Sequence, residues 1–148
     1  MSDANDPSAG EQCTAAATRS GPGRLLIAVY GVFALAATAR SAVQISTRFS
    51  VAPLAFVLSA VAAVVYLLAT FCLATGTRTT RAVATVSLFV ELGGVLVVGT
   101  LSLVQRGLFP EATVWSDYGQ GYGFIPVVLP VLGLTWLRRT ARPQPDPT

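Results

Sequence analysis

An all-α integral membrane protein is predicted by two observations. Four long apolar stretches are separated by short polar turns, and 53% of the residues are hydrophobic against 11% charged. A helix that crosses a bilayer needs about 20 mostly apolar residues, whereas soluble domains are roughly a quarter charged. The stretches run at about Leu25–Ile45, Ala52–Thr75, Ala82–Val104 and Tyr122–Leu137. They predict one four-helix transmembrane domain over 24–139, flanked by disordered tails at 1–23 and 140–148. Each tail is too short for a folded domain, which needs about 40 residues. The first is rich in Ser, Ala, Gly and Asp, with no apolar periodicity to offset its ordering entropy.

The first span follows Pro22-Gly23-Arg24. Leu25–Ala36 has the length of a signal-peptide core, and Ala37-Thr38-Ala39 has the form of a cleavage site. The long polar leader and the apolar residues beyond Arg40 favour an uncleaved helix, with cleavage as the alternative. At 1.5 Å per residue Arg40 lies about 22 Å beyond Leu25, near the far headgroups. Ala36, Ala37, Arg40, Gln44 and Thr47 share one helical face.

No charge falls between Arg48 and Arg78, so the second span is the cleanest. Pro53 stands at its start, where a missing N–H costs least. Ser59 and Ala63 form a small-xxx-small pair that lets helices approach. The short turn Thr75–Arg81 makes the second and third spans antiparallel neighbours. The fourth follows a longer polar loop, and its Pro126 and Pro130 predict a bent or partly unwound helix.

Orientation follows the arginines, of which there are ten with no lysine. With four spans, one side collects Arg19, Arg24, Arg78, Arg81, Arg138, Arg139 and Arg142, and the other Arg40, Arg48 and Arg106. Positive residues stay inside, so both termini are expected in the cytoplasm. Arginines placed singly or in pairs at span ends anchor helices at headgroups, which argues against nucleic acid as a partner.

The third span holds Glu91, the one acid inside any span. A carboxylate near the midplane costs several kcal/mol unless paired, protonated or wetted. Its face, Ala84, Ser87, Glu91, Gly94 and Val98, is small and partly polar, so it is expected to point into the bundle. Glu91 could handle a proton or cation. It could equally pair with Arg40, about 8 Å higher on the first helix, and simply set the packing; the structural role is favoured.

The loop before the fourth span gathers Glu111, Trp115, Asp117, Tyr118 and Tyr122 on the outer side. These read as interfacial anchors or as an external surface for a lipid headgroup or sugar. Gly119, Gly121 and Gly123 follow no strand and open no soluble helix, so they are not a nucleotide loop. Ser116 has no histidine to activate it, and Glu111 with Asp117 is a weak acid–base pair. The chain has no histidine, and Cys13 and Cys72 stand apart, so no metal site, cofactor or disulfide framework is expected.

The stretches Tyr30–Gln44, Val90–Val104 and Gly121–Gly133 resemble small four-helix integral membrane proteins of actinobacteria. The resemblance covers about Arg24–Arg139 and implies a plasma-membrane location with four spans; it implies no activity and no catalytic residue. The expectation is a non-enzymatic, multi-pass protein of a bacterial plasma membrane, acting through lipid or protein contacts. The alternative is a small oligomeric transporter or channel built around Glu91. Membrane lipids, a membrane-protein partner or further copies of the chain are the partners expected.

Overall fold

The computed structural model describes residues 21–141. Among them are four α-helices: α1 (Gly21–Arg48), α2 (Pro53–Thr75), α3 (Arg78–Val104) and α4 (Ile125–Thr140). Two 3-10 turns, Arg106–Leu108 and Ser116–Tyr122, lie in the loop between α3 and α4. Helices α1, α2 and α3 are each long and apolar enough to cross a membrane. α4 qualifies only together with the Ser116–Tyr122 turn, which it meets at 95°. With 16 residues, it measures about 24 Å, short of the ~30 Å hydrocarbon core.

Local chemistry moves several predicted boundaries. α1 starts at Gly21 and α4 ends at Thr140, so residues 21–23 and 140, assigned to the tails from the sequence, are helical. Ala141 follows as a turn, and the remainder of those tails, 1–20 and 142–148, lies outside the described residues. α2 stops where Gly76 turns left-handed (φ 70°) and its N–H donates to the Cys72 carbonyl at 3.2 Å; glycine adopts that conformation without steric cost. Thr77 then caps α3, its Oγ1 accepting from the Thr80 N–H at 3.3 Å. The cap starts α3 at Arg78 rather than at Ala82.

The fourth span is corrected in a second way. Its helix begins at Ile125, not Tyr122, because Phe124 takes a left-handed conformation (φ 61°) and Pro126 sits in the first turn. Pro130 stands inside a continuous helix. The sharp break falls ahead of α4 rather than at its prolines.

The helices pack antiparallel around a core of small residues and two tyrosines, with Tyr30, Ala34 and Ala37 from α1 and Ala62, Tyr66 and Ala69 from α2. Ala84, Leu88 and Val95 of α3 join them. Ser59 and Ala63 are both buried, as their spacing predicts. On α1 the buried stripe is Tyr30, Ala34, Ala37 and Ser41; Ala36 and Thr47 of the predicted stripe are exposed. The exterior is strongly apolar, with Leu35 and Phe71 at 73% and 66% exposure. A surface of that kind suits a bilayer better than water.

Helix α4 leans on α3. Gly133 meets Leu88 so closely that an added Cβ would stand 2.9 Å from the leucine Cδ1. At its end the Arg81 guanidinium donates to the Leu137 carbonyl at 2.7 Å and to Thr140 Oγ1 at 3.2 Å. That cation sits at the C-terminal end of α4, where the helix dipole favours positive charge, and shares the Leu137 carbonyl with the Ala141 N–H.

Candidate functional site

Glu91 occupies the midpoint of α3 and is fully buried, on the face formed by Ala84, Ser87 and Val98, as the sequence predicts. Its partner differs from the predicted one. The Tyr30 hydroxyl of α1 donates to Glu91 Oε2 at 2.8 Å, and Arg40 is engaged elsewhere. Tyr30 stands nearly three helical turns, about 15 Å, before Arg40 on α1, within hydrogen-bond reach of Glu91. The Tyr66 ring of α2 lies 6.2 Å from that of Tyr30, so all three long helices contribute to this centre. Glu91 Oε1, the Tyr66 hydroxyl and the Trp115 indole N–H are buried with no hydrogen-bond partner among the described residues. Each such atom costs about 1–3 kcal/mol.

The loop between α3 and α4 closes this centre from one end. Trp115 was expected on an external surface; it is 3% exposed and buried in the core beside Val114. Its ring fills the space in front of Gly94, one helical turn beyond Glu91. Aromatic area of this size gains more inside a core than at the surface. The segment is shaped by side chains bonding its own backbone: Thr113 Oγ1 accepts from the Trp115 and Ser116 N–H groups at 3.1 and 2.9 Å. Ser116 Oγ accepts in return from the Thr113 N–H at 2.9 Å. Ser102 Oγ of α3 accepts from the Asp117 N–H at 2.8 Å, which pins the loop to the bundle.

Of the other loop residues, Tyr118 is half-buried and shares a 2.9 Å hydrogen bond with the Thr100 hydroxyl. Glu111 pairs with Arg48 at 3.5 Å. Arg40 acts as a latch: it donates to the Tyr122 hydroxyl, to the Ala112 carbonyl at 2.9 Å and to Gln44 Oε1 at 3.3 Å. A polar cleft of about 460 Å³ opens beside it, lined by Asp117, Gln120 and Tyr122 among others. Asp117, Tyr118 and Gly119 are consecutive left-handed residues (φ 51°, 57° and 75°). Two side-chain-bearing residues in that region store strain of order 1–3 kcal/mol each.

Glu91 and Arg40 therefore belong to separate hydrogen-bond sets, Glu91 with Tyr30 and Arg40 with the loop, and the pairing that the sequence allows between them is not made. Tyr30 and Tyr66 went unnoticed. Their signal was position, since tyrosine belongs at membrane interfaces and both lie inside apolar spans. No family model matches this sequence, and no curated protein or solved structure matches it.

Proposed function

We propose that this chain is a non-enzymatic, multi-pass component of a bacterial plasma membrane that works through contacts with lipid or with another membrane protein. In this reading the bent pair of Ser116–Tyr122 and α4 forms a fourth span, and both termini face the cytoplasm. Arg24, Arg78, Arg81, Arg138 and Arg139 at one end of the bundle, against Arg40, Arg48 and Arg106 at the other, support that orientation. The observation that carries the reading is the wholly buried Tyr30–Glu91 hydrogen bond. An intramembrane acid held in this way ties α1 to α3 and leaves the lipid-facing helix surfaces as the working part.

Crosslinking of the C-terminally tagged protein in its native membrane, followed by mass spectrometry, tests it. Stoichiometric recovery of a different membrane protein, or of the uncrosslinked single chain if its contacts are with lipid, is the expected result. Recovery of the chain alone, as a defined oligomer, would count against it.

One observation favours a second reading, a small oligomeric transporter or channel. Glu91 Oε1 and the Tyr66 hydroxyl are both buried and unpartnered, two oxygens that could relay a proton or help hold a cation. Glu91→Gln separates the two readings. Lost proton or cation flux in proteoliposomes at normal expression supports transport, whereas lost expression supports the helix tie.

A further inference from the structure

Because α4 leans on α3 and is held there by Arg81, it stands away from the first turns of α1. A groove of about 520 Å³ results, walled by Leu26 and Val29 on one side and by Leu129, Leu132 and Trp136 on the other, with Arg139 at its mouth. That volume falls within the ~300–1,000 Å³ typical of ligand sites. The lining is apolar apart from Thr135 and Arg139, and the groove is open to the surroundings rather than enclosed. From Leu129 to Arg139 it runs about 15 Å along α4, half of the ~30 Å hydrocarbon core. It therefore has the depth of one leaflet.

Charge at the mouth narrows the occupant. Among the described residues this end of the bundle carries Arg24, Arg78, Arg81, Arg138 and Arg139 and no acid; Glu91 is at mid-height, and Glu111 and Asp117 lie at the opposite end. Arg81 is engaged with α4, and Arg138 lines a different cleft, between α3 and α4. Arg139 is the cation that lines the groove itself. Guanidinium groups bind phosphate oxygens in a fork that a neutral headgroup does not reward, and basic clefts between spans select anionic lipids.

We infer that the groove between α1 and α4 binds one acyl chain of an anionic phospholipid, with Arg139 on its phosphate. This deepens the lipid-contact reading above and rests on the chain's lying in a membrane. The lipid would fill the gap between the two helices and brace the α4 end that Arg81 holds from the other side.

The full-length protein in neutral detergent, titrated with dioleoylphosphatidylglycerol or dioleoylphosphatidylcholine and read by native mass spectrometry, tests it. One phosphatidylglycerol should bind about fivefold more tightly than phosphatidylcholine, the ~1 kcal/mol expected of one arginine. Arg139→Gln should abolish that preference, while Arg138→Gln leaves it in place. Leu132→Trp, at an exposed position on the groove wall, should weaken both lipids, with circular dichroism showing retained helix. Equal affinity for the two lipids, or a preference that survives Arg139→Gln, overturns the inference. So does full displacement of the lipid by inorganic phosphate, which would mark a free-anion site. Release of the protein from native membranes by alkaline carbonate would instead remove the membrane reading beneath it.

Discussion

The ring of Trp115 stands where a side chain on Gly94 would be: a Cβ there would lie 2.7 Å from Cζ3 and 2.8 Å from Cη2. Glycine at 94 is what lets the α3–α4 loop seat its tryptophan in the bundle. Gly93, next along α3, has nothing within 4 Å of its added Cβ. Gly94→Ala is therefore predicted to destabilise by about 1–3 kcal/mol through overpacking. Gly93→Ala should be neutral or stabilise by up to about 1 kcal/mol, from helix propensity. Thermal unfolding of the two variants in the same detergent checks this; equal melting temperatures would contradict the seating of Trp115.

Asp117 holds a left-handed conformation with φ at 51°, and its backbone N–H already has Ser102 Oγ. Asp117→Gly keeps that bond and removes the steric cost of a Cβ, about 1–2 kcal/mol. The expected outcome is a higher unfolding temperature. A lower one would mean that the carboxylate itself, beside the polar cleft, holds the loop.

Arg40 reaches the loop through the Tyr122 hydroxyl and the Ala112 carbonyl. Arg40→Gln and Tyr122→Phe should each weaken the latch by about 1 kcal/mol. That corresponds to roughly fivefold faster amide exchange across the loop, because local opening is governed by local contacts. Exchange within α2 should not change. Acceleration spread evenly over all helices would show that Arg40 supports the whole bundle instead.

The helices were legible because their cause is local. Long uncharged runs and Pro53 at a helix start act within one element, and the Ser59–Ala63 spacing is read along one helix even though it serves the contact between helices. Glu91 was legible too, since its small-residue face declares which way it points. Its partner was not. Counting rise along two helices placed Arg40 near Glu91, but only packing reveals that the bundle brings Tyr30 level with it and turns Arg40 to the loop. Trp115 was misjudged for a related reason. Its burial depends on Gly94, 21 positions away in sequence, and on Thr113 and Ser116 folding the loop inward.

Helix α4 illustrates a different difficulty. Two prolines announced a disturbed helix, yet Pro126 sits in the first turn, where its missing N–H is harmless, and Pro130 is carried inside a continuous helix. The break comes from left-handed residues ahead of it, and Tyr118 and Phe124 are not types that signal such a backbone.

The measurement that bears most directly on the role of Glu91 is a double-mutant cycle with Tyr30, using Tyr30→Phe and Glu91→Leu and reading reversible unfolding by SDS in bicelles. Each single change strands a buried polar group and should cost about 1–3 kcal/mol. A tie between α1 and α3 predicts that the double variant loses less than the sum, with a coupling of about 0.6–1.7 kcal/mol as for other intramembrane hydrogen bonds. Strictly additive losses would mean that the two side chains do not hold the helices together, and Glu91 would then have to be there for some other purpose.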